Sequence, residues 1–106
     1  MGFVLGLKAD KIDDYRRLHA AVWPEMLDLL GRHGIRNFSI YLKEPENLLF
    51  STFEYHGTDY EADQKMLAAE PVAEKWGAVV GACQQPLPTR KPGEWWAAME
   101  EVFHVD

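Results

Sequence analysis

The sequence predicts an α+β fold of the ferredoxin-like βαββαβ arrangement. Three observations carry that prediction. Short apolar or alternating stretches rich in β-branched and aromatic residues recur at 3–8, 35–43, 48–56 and the C-terminal end, and read as strands. Helical apolar periodicity separates the first strand from the second, and returns after the third. "EPEN" at 44–47 joins the second and third strands through a proline and an asparagine, as a hairpin connection does. Strand, helix, hairpin, helix, strand is the βαββαβ order.

Taken in order, residues 3–8, FVLGLK, form a short apolar strand. Asp10 is placed to cap the following helix, with Asp13 at the capping-box spacing. That helix carries Ile12, Tyr15, His19, Val22, Trp23, Met26, Leu27 and Leu30 on one broad face. It ends near Gly34, with Arg32 and His33 in its last turn. Pro24 interrupts it. An interior proline costs about 3 kcal/mol, so the helix bends there or restarts with Pro24 as its first residue. The break either frees the Ala20 carbonyl beside an aromatic face or only wraps the helix around the sheet.

The second strand puts Phe38, Ile40 and Leu42 on one face and Asn37, Ser39 and Tyr41 on the other. Helices cover one face of the sheet. The mixed polar and aromatic second face is expected to line a cavity closed by dimerisation. Beyond Gly57, Thr58 or Asp59 starts a helix reaching about Ala69; Glu70-Pro71 breaks it, and another helix runs to about Val80. Residues 84–96, QQPLPTRKPGEWW, read as a long loop that Trp95 and Trp96 must fold onto something. In the terminal "MEEVFHVD", Met99, Glu101, Phe103 and Val105 alternate with other residues and predict the last strand.

The bulk properties narrow the function. A chain of 106 residues fits one domain, 1–106. The net charge is −6 and no Lys/Arg run exceeds two residues, which argues against nucleic acid and anionic membranes as partners. A single cysteine, Cys83, excludes an intrachain disulfide and disfavours a cysteine zinc site. No apolar run has the length of a membrane span, and the first ten residues do not read as a secretory signal, so a cytoplasmic protein is expected. His33, His56 and His104 lack ligand spacing, and no phosphate loop or nucleophile elbow is present. Glu100 and Glu101 would face opposite sides of a strand and form no dyad. No metal and no cofactor are expected.

What remains is acid–base and aromatic chemistry. Tyr15, His19 and Trp23 stand at i, i+4 and i+8, and so project from one face of a continuous helix. A histidine between two aromatic rings can titrate near neutral pH and act as general acid or base. The same pattern also suits a packed histidine bonded to a backbone carbonyl, and periodicity leaves both readings open. Tryptophans suit the apolar C–H face of a sugar, though Trp95 and Trp96 equally suit packing or a dimer interface.

"YRRLHAAVWPE", "NFSIYL", "ENLLF" and the terminal "EEVFHVD", in this order and spacing, closely resemble the L-rhamnose mutarotase family over nearly the whole chain. The resemblance implies a dimeric α/β barrel and cofactor-free interconversion of the α and β anomers of a 6-deoxy-hexose. It implies that His19 is the catalytic acid, that Tyr15 contacts the sugar, and that Trp76 is the first of two tryptophans lining the pocket. Phe38 stands where the family has a substrate-binding tyrosine, and Gly77 where it has the second tryptophan; these two substitutions bear on which sugar is taken. L-Rhamnose is the expected sugar and L-fucose the second candidate. Two other readings fit the same fold: a cofactor-free monooxygenase or isomerase acting on a flat aromatic substrate, and a non-catalytic sugar-binding module.

Overall fold

The structure, a computed structural model, describes residues 1–106. Strand β1 (Gly2–Leu7) is followed by a 3₁₀ turn and then by helices α1 (Ile12–Ala20) and α2 (Pro24–Arg32). Strands β2 (Ile35–Lys43) and β3 (Leu48–Tyr55) form the hairpin. Helices α3 (Tyr60–Ala69) and α4 (Pro71–Gly81) lead to two short strands, β4 (Gln84–Gln85) and β5 (Ala97–Met99). The sheet is antiparallel throughout, in the order β2-β3-β1-β4, with β5 also pairing β1. This is the ferredoxin-like fold the periodicities predict.

The long first helix divides in two, and the physical reason is Pro24. With no N–H to donate, it cannot continue the helix from Ala20, but its fixed φ suits a first helical position. Trp23 therefore adopts extended backbone, φ −57° and ψ 131°, and its carbonyl accepts from the N–H groups of Met26 and Leu27. Asp10 does not cap α1: it lies in the 3₁₀ turn, and Lys11 at the N-cap makes no side-chain cap bond. Asp59 does cap α3, accepting the N–H of Ala62 at 3.1 Å. Gly34 takes φ +80° just past α2, as a helix-ending glycine does.

The ends of the sheet depart from expectation. The strand assigned to Met99–Val105 is shifted to Ala97–Met99. Met99 pairs with Gly2, at the very start of β1, so the residues beyond it run past the edge with nothing to pair. Residues 100–106 are exposed and belong to no helix or strand. The fourth strand of the βαββαβ order is instead the two-residue β4, at the front of the stretch expected to be loop throughout.

The core lies between the helices and one sheet face. Leu7, Leu49, Tyr15, Met26, Leu29, Leu67, Trp76, Val80 and Cys83 form one buried cluster, against which Ile40 and Leu42 pack from β2. The opposite face carries Tyr41, Phe50 and Val4 in one row across β2, β3 and β1. Close approach of β4 to β1 depends on Gly6, whose ideal Cβ would lie 2.3 Å from the Gln85 carbonyl oxygen. Gly6→Ala is accordingly expected to displace β4 and to lower the unfolding free energy by about 1–3 kcal/mol, measured by denaturant titration.

Candidate active site

Proline decides the geometry here too. Ending α1 at Ala20 leaves Tyr15 and His19 one turn apart on a short helix, and Trp23 reaches the same region from the connection rather than from a third helical turn. The Tyr15 and His19 rings stack at 4.1 Å between centroids and 26° between planes. Trp76, on α4, sets its ring edgewise to His19 at 5.4 Å and to Trp23 at 5.0 Å. Trp76 and Tyr15 are buried core members, so the cluster is continuous with the packing of the domain.

A cavity of about 930 Å³ opens beside this cluster. Tyr15, His19 and Trp76 line it, and so do Phe38 and Gly77, so all five residues singled out from the sequence meet at one space. Trp95 and Trp96 line it from the 86–96 loop. One expectation is corrected. The cavity lies on the helix-covered side of the sheet, reached by Phe38 and Ile40, and not on the face of Asn37, Ser39 and Tyr41. Trp23 supports the cavity wall through Trp76 but does not line the cavity itself. Phe38 is brought to the rim by a register shift between Arg36 and Ser39, where Asn37 takes φ +50°. Asparagine tolerates that left-handed conformation better than most residues. Phe38 then stacks on Phe53 at 5.6 Å and remains 43% exposed.

One lining residue, Gln84, is not legible from residue order, because β4 is only two residues long and the position reads as loop. No periodicity can show itself over two positions.

The electrostatics follow from burial. Removal from water holds the His19 imidazole below its ordinary value of 6.5, with a backbone hydrogen bond to Tyr15 working the other way. His19 Nδ1 lies 3.0 Å from the Tyr15 carbonyl oxygen. A carbonyl can only accept, so Nδ1 carries the proton and, in the neutral ring, Nε2 holds the free lone pair. Burial pushes the Tyr15 hydroxyl up to about 12, with a Gln84 side-chain hydrogen bond opposing the rise. At neutral pH the site therefore presents a neutral imidazole acceptor and a phenol that keeps its proton. The remaining lining is largely apolar.

The fold and site define a small α+β domain with an aromatic-walled, histidine-bearing cavity suited to proton transfer on a compact ring. A model of the L-rhamnose mutarotase family matches residues 1–105, and the chain belongs to that family of isomerase-class enzymes. It is 33% identical to the L-rhamnose mutarotase of Pectobacterium carotovorum subsp. carotovorum (strain PC1), over 98% of this chain and 95% of the relative. Among solved structures, the L-rhamnose mutarotase of Formosa agariphila superposes with a TM-score of 0.76 at 27% identity, covering 99% of this chain and 96% of that one. Tetracenomycin F2 cyclase from Streptomyces glaucescens shares the fold alone, with a TM-score of 0.69 at 13% identity, covering 99% of this chain and 96% of that one. No helix is long and apolar enough to cross a membrane.

The depressed His19 value has a signed consequence for stability. The unfolded histidine binds a proton more readily than the folded one, so this contribution is complete above pH 6.5 and is lost as pH falls through 6.5 toward the lower folded value. In an NMR titration the His19 imidazole is expected to titrate below 6.5, and Trp76→Leu to move it back upward as water reaches the ring.

Proposed function

We propose that the protein is a cofactor-free mutarotase that interconverts the α and β anomers of a 6-deoxy-hexose, with L-rhamnose as the substrate and His19 as the acid–base residue. One observation carries this reading: an imidazole whose Nδ1 is held by the Tyr15 carbonyl, with Nε2 free, beside an aromatic cavity. Family membership supports the choice of reaction and of sugar.

Ring opening requires a proton to leave the anomeric hydroxyl and one to reach the ring oxygen. Neutral His19 accepts the first at Nε2. The C1–O5 bond breaks with its electron pair on O5, and C1–O1 becomes the aldehyde carbonyl. The imidazolium is the proton donor for O5, so the site returns to its starting charge. Rotation about C1–C2 exposes the other face of the aldehyde, and the steps run in reverse. Tyr15, whose phenol stays protonated, donates a hydrogen bond that orients a sugar hydroxyl. Trp76 stacks on the apolar C–H face of the ring, with Phe38 and Gly77 bordering the space the sugar occupies.

His19→Ala is expected to slow anomer exchange on L-rhamnose by about 10²–10⁴-fold, the usual contribution of a positioned acid–base group, as read by NMR saturation transfer with L-fucose in parallel. In the wild type, the rate is expected to rise with pH on an acid limb whose midpoint lies below 6.5, because the neutral imidazole is the active form. Full activity in His19→Ala would overturn the assignment. Oxygen consumption with an aromatic substrate, or sugar binding without faster exchange, would favour the two other readings.

The reading extends to a single-domain homodimer paired through the open sheet face. Tyr41 is 61% exposed and Met99 39% exposed on or beside that face, where Phe50 and Val4 continue the apolar row. Val102, Phe103 and Val105 of the tail are 74–88% exposed and find no cover within the chain. Contiguous apolar surface of this kind marks an interface. Light scattering at micromolar concentration is expected to give a dimer mass, and Tyr41→Asp to shift it toward the monomer; a monomeric wild type would refute this pairing.

A further inference from the structure

Gln84 lines the cavity with a buried amide, 6% exposed, and the reaction above leaves it without a task. Its Oε1 accepts the indole N–H of Trp95 at 2.8 Å. The side chain therefore ties β4 to the 86–96 loop.

Trp95 is held in an unusual way for a packing residue. Its ring is 47% exposed, yet its one polar atom is turned inward onto a buried acceptor. Trp96 packs against the core, but the loop's other side-chain hydrogen bonds are local: Glu94 accepts from the N–H groups of Lys91 at 2.9 Å and Ala98 at 3.1 Å, and Arg90 donates to the Leu87 carbonyl at 3.0 Å. The bond to Gln84 is what directs the indole to the cavity. On the α4 wall next to Trp76, by contrast, Gly77 leaves a bare surface, and a Cβ built there meets nothing within 4 Å. The aromatic surface that α4 lacks beyond Trp76 is supplied by the loop.

We propose that Gln84 is a positioning residue that sets Trp95 as a substrate-stacking wall, and that Gln84 and Trp95 together determine which sugars the site accepts. The ligand class is a pyranose with an apolar edge: its C–H face stacks on the indole, and a 6-deoxy methyl group lies among apolar side chains. The substrate named here rests on the mutarotase reading; the anchoring of Trp95 does not.

Two conservative variants test it. Gln84→Met keeps most of the volume and loses the amide acceptor; Trp95→Phe keeps an aromatic ring and loses the indole donor. By saturation transfer on L-rhamnose, each is expected to raise KM about 2- to 10-fold, the range for one net neutral hydrogen bond, with kcat within about twofold of wild type on the same grounds. The double variant should raise KM by less than the product of the two single effects, because both changes break one shared bond. Unchanged KM, or effects that multiply, would overturn the proposal. A sugar-independent arm follows tryptic cleavage after Arg90 in the folded proteins. Both variants should be cut about 2- to 10-fold faster, on the same hydrogen-bond range, and equal rates would show that Gln84 does not hold the loop. A wild type that exchanges no sugar would defeat the mutarotase reading, while the cleavage rates would still decide the anchor.

Discussion

Trp76 belongs at once to the buried core and to the cavity wall, and the site is built around that double membership. Its ring closes the gap between α4 and the α1–α2 connection by touching both His19 and Trp23. Burying a large aromatic residue is among the larger single contributions a domain of this size can collect. The interaction that stabilises the helical layer therefore also fixes one side of the pocket. A rigid wall next to the reacting ring does not have to be ordered when ligand binds.

The same packing sets the chemistry of His19. Stacked on Tyr15 and edged by Trp76, the imidazole loses water, and the neutral form is favoured. The Tyr15 carbonyl then selects the tautomer. A histidine bonded through Nδ1 to a backbone carbonyl keeps Nε2 free, so its packing does not conflict with the acid–base role proposed for it. The carbonyl occupies Nδ1 and leaves Nε2 available. Burial of Tyr15 acts in the opposite sense on a phenol, keeping it protonated and hence a donor.

Much of this was legible from residue order. The strands read at 35–43 and 48–56, the hairpin between them, a helix starting at Thr58 or Asp59 and the break at Pro71 follow from local alternation and turn chemistry, and the structure has them within a residue or two. Tyr15, His19 and Trp76 were picked out through the ordered pattern the chain shares with a family, and Phe38 and Gly77 as the two positions where it departs from that pattern, since spacing alone could not separate a catalytic from a packed histidine. The start of the first helical stretch was misread, because Asp10 falls inside the 3₁₀ turn and a cap is settled by one residue's backbone angles. Gln84 was invisible: a two-residue strand has no period, and its neighbours include prolines that signal loop.

By itself, the sequence determined the element order, the segmentation at Pro24 and Pro71, and the identity of the groups able to move a proton. These depend on contacts within a few residues, where periodicity, caps and fixed proline geometry act. Tertiary structure alone decided which sheet face holds the cavity, where the last strand stops, and that Gln84 holds Trp95. Each of those rests on residues distant in the chain: Met99 runs out of partner at Gly2, Ile40 packs against the helical core, and Trp95 meets Gln84 across a loop. Such pairings exist only once long-range burial has offset the entropy of bringing their segments together.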